Sequence, residues 1–275
     1  MQLLWYNQKM QLLDIFLLSI LQGVAEFLPI SSSGHLVIFQ HLLGVRIDGV
    51  RLDVCLHVGT LLSIVIYYRR SILSMLTGCF SKNCTASIRR QSWFFVLKLF
   101  ISSLPAVIIY FLFAEEIKLL FENAKMVGAL LMFTGAMLIG TRYLPTGAKD
   151  VSLLRALMMG VGQAMALLPG VSRSGMTLAS AKGGGVSPEK AAEFSFLMSA
   201  PLICGALVLE IAAALGNGVS SIGQPTWPQL IFGMAIAAIT GYVSLALLVK
   251  ALKSKWFWIF GPYCLVMGLV TLLFI

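Results

Sequence analysis

The sequence predicts an all-α integral membrane protein, with six transmembrane helices plus two re-entrant helix pairs in an inverted repeat, forming a single membrane domain over residues 1–275. Three observations carry this expectation. Of the 275 residues, 59% are hydrophobic and only 11% charged, far from the balance of a water-soluble chain. Apolar runs at 53–68, 93–113, 125–143, 191–215, 228–249 and 256–275 are mostly long enough to cross a bilayer core of roughly 30 Å as helices. Two further runs, 10–28 and 153–168, end abruptly in proline, serine and glycine, and each is followed by a short second apolar piece. Non-helical backbone at membrane depth survives only where protein or a water-filled cavity satisfies its free N–H and C=O groups.

Taken in order, the run 10–28 follows Lys9 as a signal peptide would, but no small-residue cleavage pattern comes after it and Glu26 interrupts it. It reads as the first broken segment. The loop 69–91 carries Arg69, Arg70, Lys82, Arg89 and Arg90 and is expected in the cytoplasm. Alternation then puts the mixed, acidic loop 115–125 outside, the basic loop 142–155 inside and the uncharged loop 216–227 outside. Lys250, Lys253 and Lys255 return inside, and the C-terminus lies outside. The net charge of +9 is thereby explained by orientation, and nucleic acid is not an expected partner. Five cysteines, Cys55, Cys79, Cys84, Cys204 and Cys264, show neither a disulfide framework nor zinc-like spacing.

Three complete spans separate the two breaks, so the breaks enter from opposite leaflets. The sequences agree. Leu28-Pro29-Ile30-Ser31-Ser32-Ser33-Gly34 aligns with Leu168-Pro169-Val171-Ser172-Arg173-Ser174-Gly175 once Gly170 is treated as an insertion. The inverted repeats are expected over about 10–113 and 150–249. Such repeats characteristically place a polar site near the midplane, between discontinuous helices.

Glu26, His35, Asp53, His57, Arg173, Glu193 and Glu210 lie in or beside apolar segments, where ionisable groups usually face a bundle interior or water. Glu210 is placed to snorkel to the interface and Asp53 to cap its helix. His57 reads as a packed, hydrogen-bonded residue. Gln22 and Glu26, spaced i, i+4, project from one face of the first broken helix. A carboxylate there suits a divalent cation, an orienting bond to His35 or proton transfer. The break then supplies Ser31, Ser32, Ser33 and His35, with the imidazole open to a role as general acid, base or nucleophile. In the second break Arg173 stands among Ser172, Ser174 and Thr177. A planar fork of donors with hydroxyls and a helix start makes a phosphate cradle. No Walker or dinucleotide motif accompanies it.

The segments QGVAEFLPISSSGH from Gln22, LPGVSRSGMT from Leu168 and AAEFSFLMSAP from Ala191 resemble the signature motifs of the bacterial undecaprenyl-diphosphatase family, the bacitracin-resistance type. The agreement in length, hydropathy and span order covers essentially the whole chain. The resemblance implies a multi-pass protein of the bacterial inner membrane that hydrolyses undecaprenyl diphosphate, a polyprenyl diphosphate lipid, to undecaprenyl phosphate and inorganic phosphate. It also implies a divalent cation, Mg2+ or Ca2+, and recycling of the lipid carrier for peptidoglycan and other cell-wall glycans, with resistance to bacitracin. Carried onto this chain, the acidic positions fall at Gln22 and Glu26, the serine and histidine at Ser32 and His35, and the phosphate-binding group at Ser172, Arg173, Ser174 and Thr177. Gln22 stands where glutamate is often found and brings no charge to a metal, which shifts the weight to Glu26. Partners beyond the lipid and the bilayer are not specified, and a homodimer stays open. The competing class is a carrier, because inverted broken helices around an anion-friendly centre also suit transport.

Overall fold

The computed structural model describes residues 12–43, 50–216, 225–254 and 256–275. The readings for Lys9, Lys255, the stretch 217–224 and the side chain of Glu210 fall outside the described residues. Twelve α-helices follow in order among them: α1 (Leu12–Phe27), α2 (Ser32–Leu43), α3 (Val50–Tyr67), α4 (Arg69–Phe80), α5 (Ala86–Phe121), α6 (Ala124–Gly140), α7 (Leu153–Met165), α8 (Arg173–Gly183), α9 (Pro188–Leu197), α10 (Ser199–Gly216), α11 (Trp227–Lys253) and α12 (Phe260–Phe274). No β-strand occurs among the described residues.

Five helical stretches are long and apolar enough to cross a membrane, and the α3–α4 pair, bent by 75°, makes a sixth if it is counted as one span. The expected cytoplasmic loop 69–91 is instead mostly helix. Tyr68 accepts from the Ile72 N–H and so starts α4 at once, and the Thr85 hydroxyl accepts from the Ile88 N–H to cap α5. The run 93–113 is only the middle of α5, whose 36 residues correspond to roughly 54 Å of helix. Pro105 lies inside it and Phe113 leaves helical geometry, so the helix bends. The run 191–215 is two helices, because Pro201 cannot donate to the turn before it and fits only the first turn of α10.

The two broken segments fold as short pairs. Helices α1 and α2 have 16 and 12 residues, α7 and α8 have 13 and 11, and none of the last three is long enough to cross the bilayer core. Helix α1 packs on α11, with a Cβ at Gly23 placed 2.8 Å from the Ala237 carbonyl oxygen. Helix α7 packs on α5 in the same way, Gly160 lying against the backbone of Ser102. The first arm of each pair thus rests on a long helix of the opposite half. Helices α6 and α12 pair antiparallel through Gly128 with Gly268 and Gly135 with Gly261.

The core lies around Phe27, Phe194 and Phe196, all fully buried, with Phe27 meeting Phe196 edge to face at 5.5 Å. Outside it, Phe100, Phe111, Leu112, Ile239, Leu247 and Leu273 are exposed, the surface expected where lipid is the solvent. Basic side chains gather around the linker before α7: Lys98 donates to the Val151 carbonyl at 2.8 Å and Arg155 to the Gly184 carbonyl at 2.9 Å. Asp150 there is paired with Lys190, whose bond holds its carboxyl below the usual carboxylate range.

The α6–α12 seam yields a stability prediction. A Cβ would stand 2.7 Å from the Gly261 carbonyl oxygen at Gly135 and 2.5 Å from the Gly128 carbonyl oxygen at Gly268. Gly135→Val and Gly268→Val should each lower stability by about 1–3 kcal/mol in thermal unfolding of the detergent-solubilised protein. Gly140→Ala, which meets nothing within 4 Å, should not.

Candidate active site

The first break begins where α1 ends. The Leu28 N–H still reaches the Val24 carbonyl at 3.3 Å and the Ile30 N–H turns back to Leu28 at 2.8 Å. Ser31 then takes φ +68°, the one positive value at a non-glycine among the described residues. That turn lets its hydroxyl accept from the Gly34 N–H at 3.2 Å and its carbonyl accept from the His35 N–H at 3.1 Å, which starts α2. In the second break Gly170 has φ +98° and a Cβ would run into the Val127 carbonyl, so glycine is required. Ser172 caps α8 by accepting from the Gly175 N–H at 3.1 Å.

The two breaks touch. A Cβ at Gly34 would be 3.0 Å from the Cα of Gly170, and the Ser174 hydroxyl donates to the Leu28 carbonyl at 3.2 Å. Helix α6 holds the second break: the Thr134 hydroxyl donates to the Gly170 carbonyl at 2.8 Å and accepts from the Ser172 N–H at 3.1 Å. Helix α12 holds the first. The Cys264 thiol donates to the Pro29 carbonyl at 3.5 Å, and Tyr263 meets His35 Nε2 at 2.8 Å. His35 Nδ1 faces the Ser31 carbonyl at 2.9 Å, and a carbonyl only accepts. Nδ1 therefore carries the proton, and Nε2 accepts from the Tyr263 hydroxyl.

Across this junction Arg173 Nη2 donates to Glu26 Oε1 at 2.5 Å. Glu26 is buried, at 7% exposure, and Arg173 partly so, at 16%. The other oxygen, Oε2, accepts from the Ser32 hydroxyl at 2.8 Å and from Gln22 Nε2 at 3.0 Å, and lies 3.6 Å from His57 Nε2. His57 Nδ1 donates to the Asp53 carbonyl at 2.8 Å, so its Nε2 is the nitrogen turned to the carboxylate. Glu26, Ser32, His57 and Arg173 line a cleft with about 670 Å³ of atom-free space, part of it open. Glu26, Ser31, Ser32, Ser33, Ser172 and Arg173 all line it, together with apolar residues that include Val171 and Ile203.

The sequence-derived residues therefore divide. The cleft gathers the six just named. Gln22, His35, Ser174 and Thr177 are buried behind it: Gln22 under Glu26, His35 between its own turn and Tyr263, and Thr177 bonded to the Arg173 carbonyl at 2.8 Å and to Ser195 at 2.6 Å. Three polar residues of the cleft, His57, Gln163 and Ser199, lie outside the sequence-derived site. His57 reads as a packed residue by sequence, although its i, i+4 spacing from Asp53 was a signal. Gln163 is an amide in the apolar C-terminal part of α7, six residues before Pro169.

As a cation site the cleft offers limited means. No group of three or more His, Cys, Asp or Glu side chains arranged to hold a metal ion occurs among the described residues. Gln22 Oε1 is buried without a partner beside the Glu26 carboxylate, and these two oxygens are the hard donors that fit a divalent ion whose other ligands come from substrate and water. The stronger electrostatic feature is positive: one Arg173 Nη1 without a partner, at the first turn of α8, where the helix dipole favours an anion.

Residues 15–270 match the family model described as Bacitracin resistance protein BacA. Among curated relatives, the undecaprenyl-diphosphatase of Desulfatibacillum aliphaticivorans is 38% identical, covering 96% of this chain and 98% of its own. That of Halothermothrix orenii is 36% identical with the same coverage, and undecaprenyl-diphosphatase 4 of Bacillus thuringiensis is 34% identical over 96% and 97%.

The buried pair gives the site its own test. Glu26→Gln or Arg173→Met alone should cost about 3 kcal/mol, since each leaves one buried charge uncompensated. Combining the two should cost less than the sum by roughly 1–3 kcal/mol in a double-mutant cycle of unfolding.

Proposed function

The chain belongs to the bacitracin resistance protein BacA family, and from that premise we propose that it is a membrane hydrolase converting undecaprenyl diphosphate to undecaprenyl phosphate and inorganic phosphate. The observation that carries the chemistry is the Arg173–Glu26 pair in a hydroxyl-lined cleft. Arg173 neutralises the terminal phosphoryl group through its unpartnered Nη1, while the α8 N-terminus adds a favourable field. Ser32 is the hydroxyl already hydrogen-bonded to a carboxylate. Its Oγ bonds to the terminal phosphorus as the anhydride P–O bond breaks and the lipid monophosphate leaves, and its proton passes to Glu26. Water then cleaves the phosphoseryl ester, releasing inorganic phosphate and restoring Ser32. His57 is placed to relay the proton from Glu26. His35 acts here by fixing the Ser31 turn that aims Ser32, and Ser33, Ser172, Ser174 and Thr177 complete and brace the cradle. A divalent cation, Mg2+ or Ca2+, would be held by Glu26 and Gln22 Oε1 and would supply further neutralisation of the diphosphate.

The reading extends to the membrane. Six spans with two re-entrant pairs in an inverted repeat, in the bacterial inner membrane, are supported by the reciprocal packing of α1 on α11 and α7 on α5 and by the antiparallel α6–α12 pair. The prenyl tail stays in the bilayer while the headgroup enters the cleft. The monophosphate returns as carrier for peptidoglycan and other cell-wall glycans, and resistance to bacitracin follows from the same turnover.

Phosphate release from a prenyl diphosphate by detergent-solubilised protein with Mg2+ or Ca2+ tests this. Arg173→Ala should lower turnover by about 100-fold or more with far less effect on abundance; unaltered turnover, or binding without release by the unmodified protein, would sink the enzyme reading. Ser32→Ala should abolish a trapped phosphoprotein, and a label that persists without Ser32 rules out that nucleophile.

A further inference from the structure

Gln163 is 2% exposed and sits on α7 with its side chain in the cleft wall. Neither its Nε2 nor its Oε1 has a hydrogen-bond partner, and Arg173 Nη1 in the same cleft has none either. Leaving a buried amide unsatisfied at both ends is costly and rare in a folded protein. An obvious remedy, a bond between Arg173 Nη1 and Gln163 Oε1, is not made. The groups are left for a guest. Nη1 and Nε2 only donate and Oε1 only accepts, so the guest that satisfies all three offers acceptor oxygens together with one O–H.

Hydrogen phosphate has that pattern, because the dianion keeps its last proton near neutral pH, and a phosphate ester, which titrates at about 6, is still partly protonated there. Sulfate, of the same size, shape and charge as the phosphate dianion, carries no proton there. We propose that Gln163 is a contact for the terminal phosphoryl group, with Nε2 donating to a non-bridging oxygen and Oε1 accepting from the P–OH. The cleft thereby selects phosphate over sulfate. The same contact holds the product, inorganic phosphate, after cleavage. This assignment rests on the phosphatase reading above and names a residue outside the two serine-rich breaks.

Inhibition of prenyl diphosphate hydrolysis by inorganic phosphate and by sulfate, measured on purified full-length protein, reads the contact directly. Phosphate should inhibit about tenfold or more better than sulfate, the scale of one hydrogen bond to a charged group. In Gln163→Leu that preference should disappear and kcat/KM should fall about tenfold or more. The thermal midpoint should not drop, because two orphaned polar atoms have been removed. Gln163→Met, closer in shape, should behave alike and serves if the leucine variant does not fold. Equal inhibition by both anions in the unmodified protein, as when water satisfies Oε1, overturns the proposal, and so does a preference that survives in both variants. Should the unmodified protein hydrolyse nothing, the phosphatase reading fails by itself. Titration of phosphate and sulfate into the same protein by calorimetry then decides the contact, equal affinities counting against it.

Discussion

A helix that stops inside a membrane protein leaves free N–H and C=O groups where water does not reach them, and the architecture around the two breaks answers that requirement. Each break supplies part of the answer locally: Ser31 caps α2 and Ser172 caps α8. The remainder comes from two helices distant in sequence. Thr134 of α6 takes up both a donor and an acceptor of the second break, and α12 offers Cys264 to the Pro29 carbonyl and Tyr263 to His35. Because α6 and α12 are themselves locked together through facing glycines, the two clamps form one rigid brace. The strained φ of Ser31 and the left-handed Gly170 are held at that junction.

The same devices that satisfy backbone also aim chemistry. The Ser31 turn places the following hydroxyl, Ser32, on Glu26, and the Ser172 cap puts Arg173 at the first turn of α8, facing the same carboxylate. A buried carboxylate and a largely enclosed guanidinium would each be expensive alone. Together they are compensated, yet Arg173 keeps one nitrogen unpartnered and Gln163 keeps both of its polar atoms so. In the proposed function, the stability forgone at these atoms is recovered when an anion binds, which is how a preorganised site favours its guest.

Much of this was legible in the residues. The serine-rich breaks, the Gln22–Glu26 spacing and the cradle around Arg173 stand in the sequence as local patterns with local causes. The sequence was a poorer guide where the cause was not local. The charged stretch 69–91 reads as a loop because arginines and lysines are counted by side, whereas Thr85 and Tyr68 start helices there that pack on one another through Gly78 and Ser92. By sequence His57 reads as a packed residue, and Gln163 belongs to no motif. Their meaning depends on α3 and α7 lining one cleft.

By itself, then, the sequence determined that the chain is helical and apolar, where the two serine-rich breaks fall and which groups each of them carries, since these follow from composition, capping chemistry and the missing N–H of proline. Only the tertiary structure decided which of those groups face the cleft. His35, named by spacing as an acid, base or nucleophile, has both ring nitrogens bound to the frame, and His57, from a helix that the breaks do not include, turns its free nitrogen to Glu26. The physical reason is that a hydrogen bond uses up a nitrogen's one donor or acceptor, and its partner here, Tyr263, lies at a separation of 228 residues, a distance no local pattern encodes.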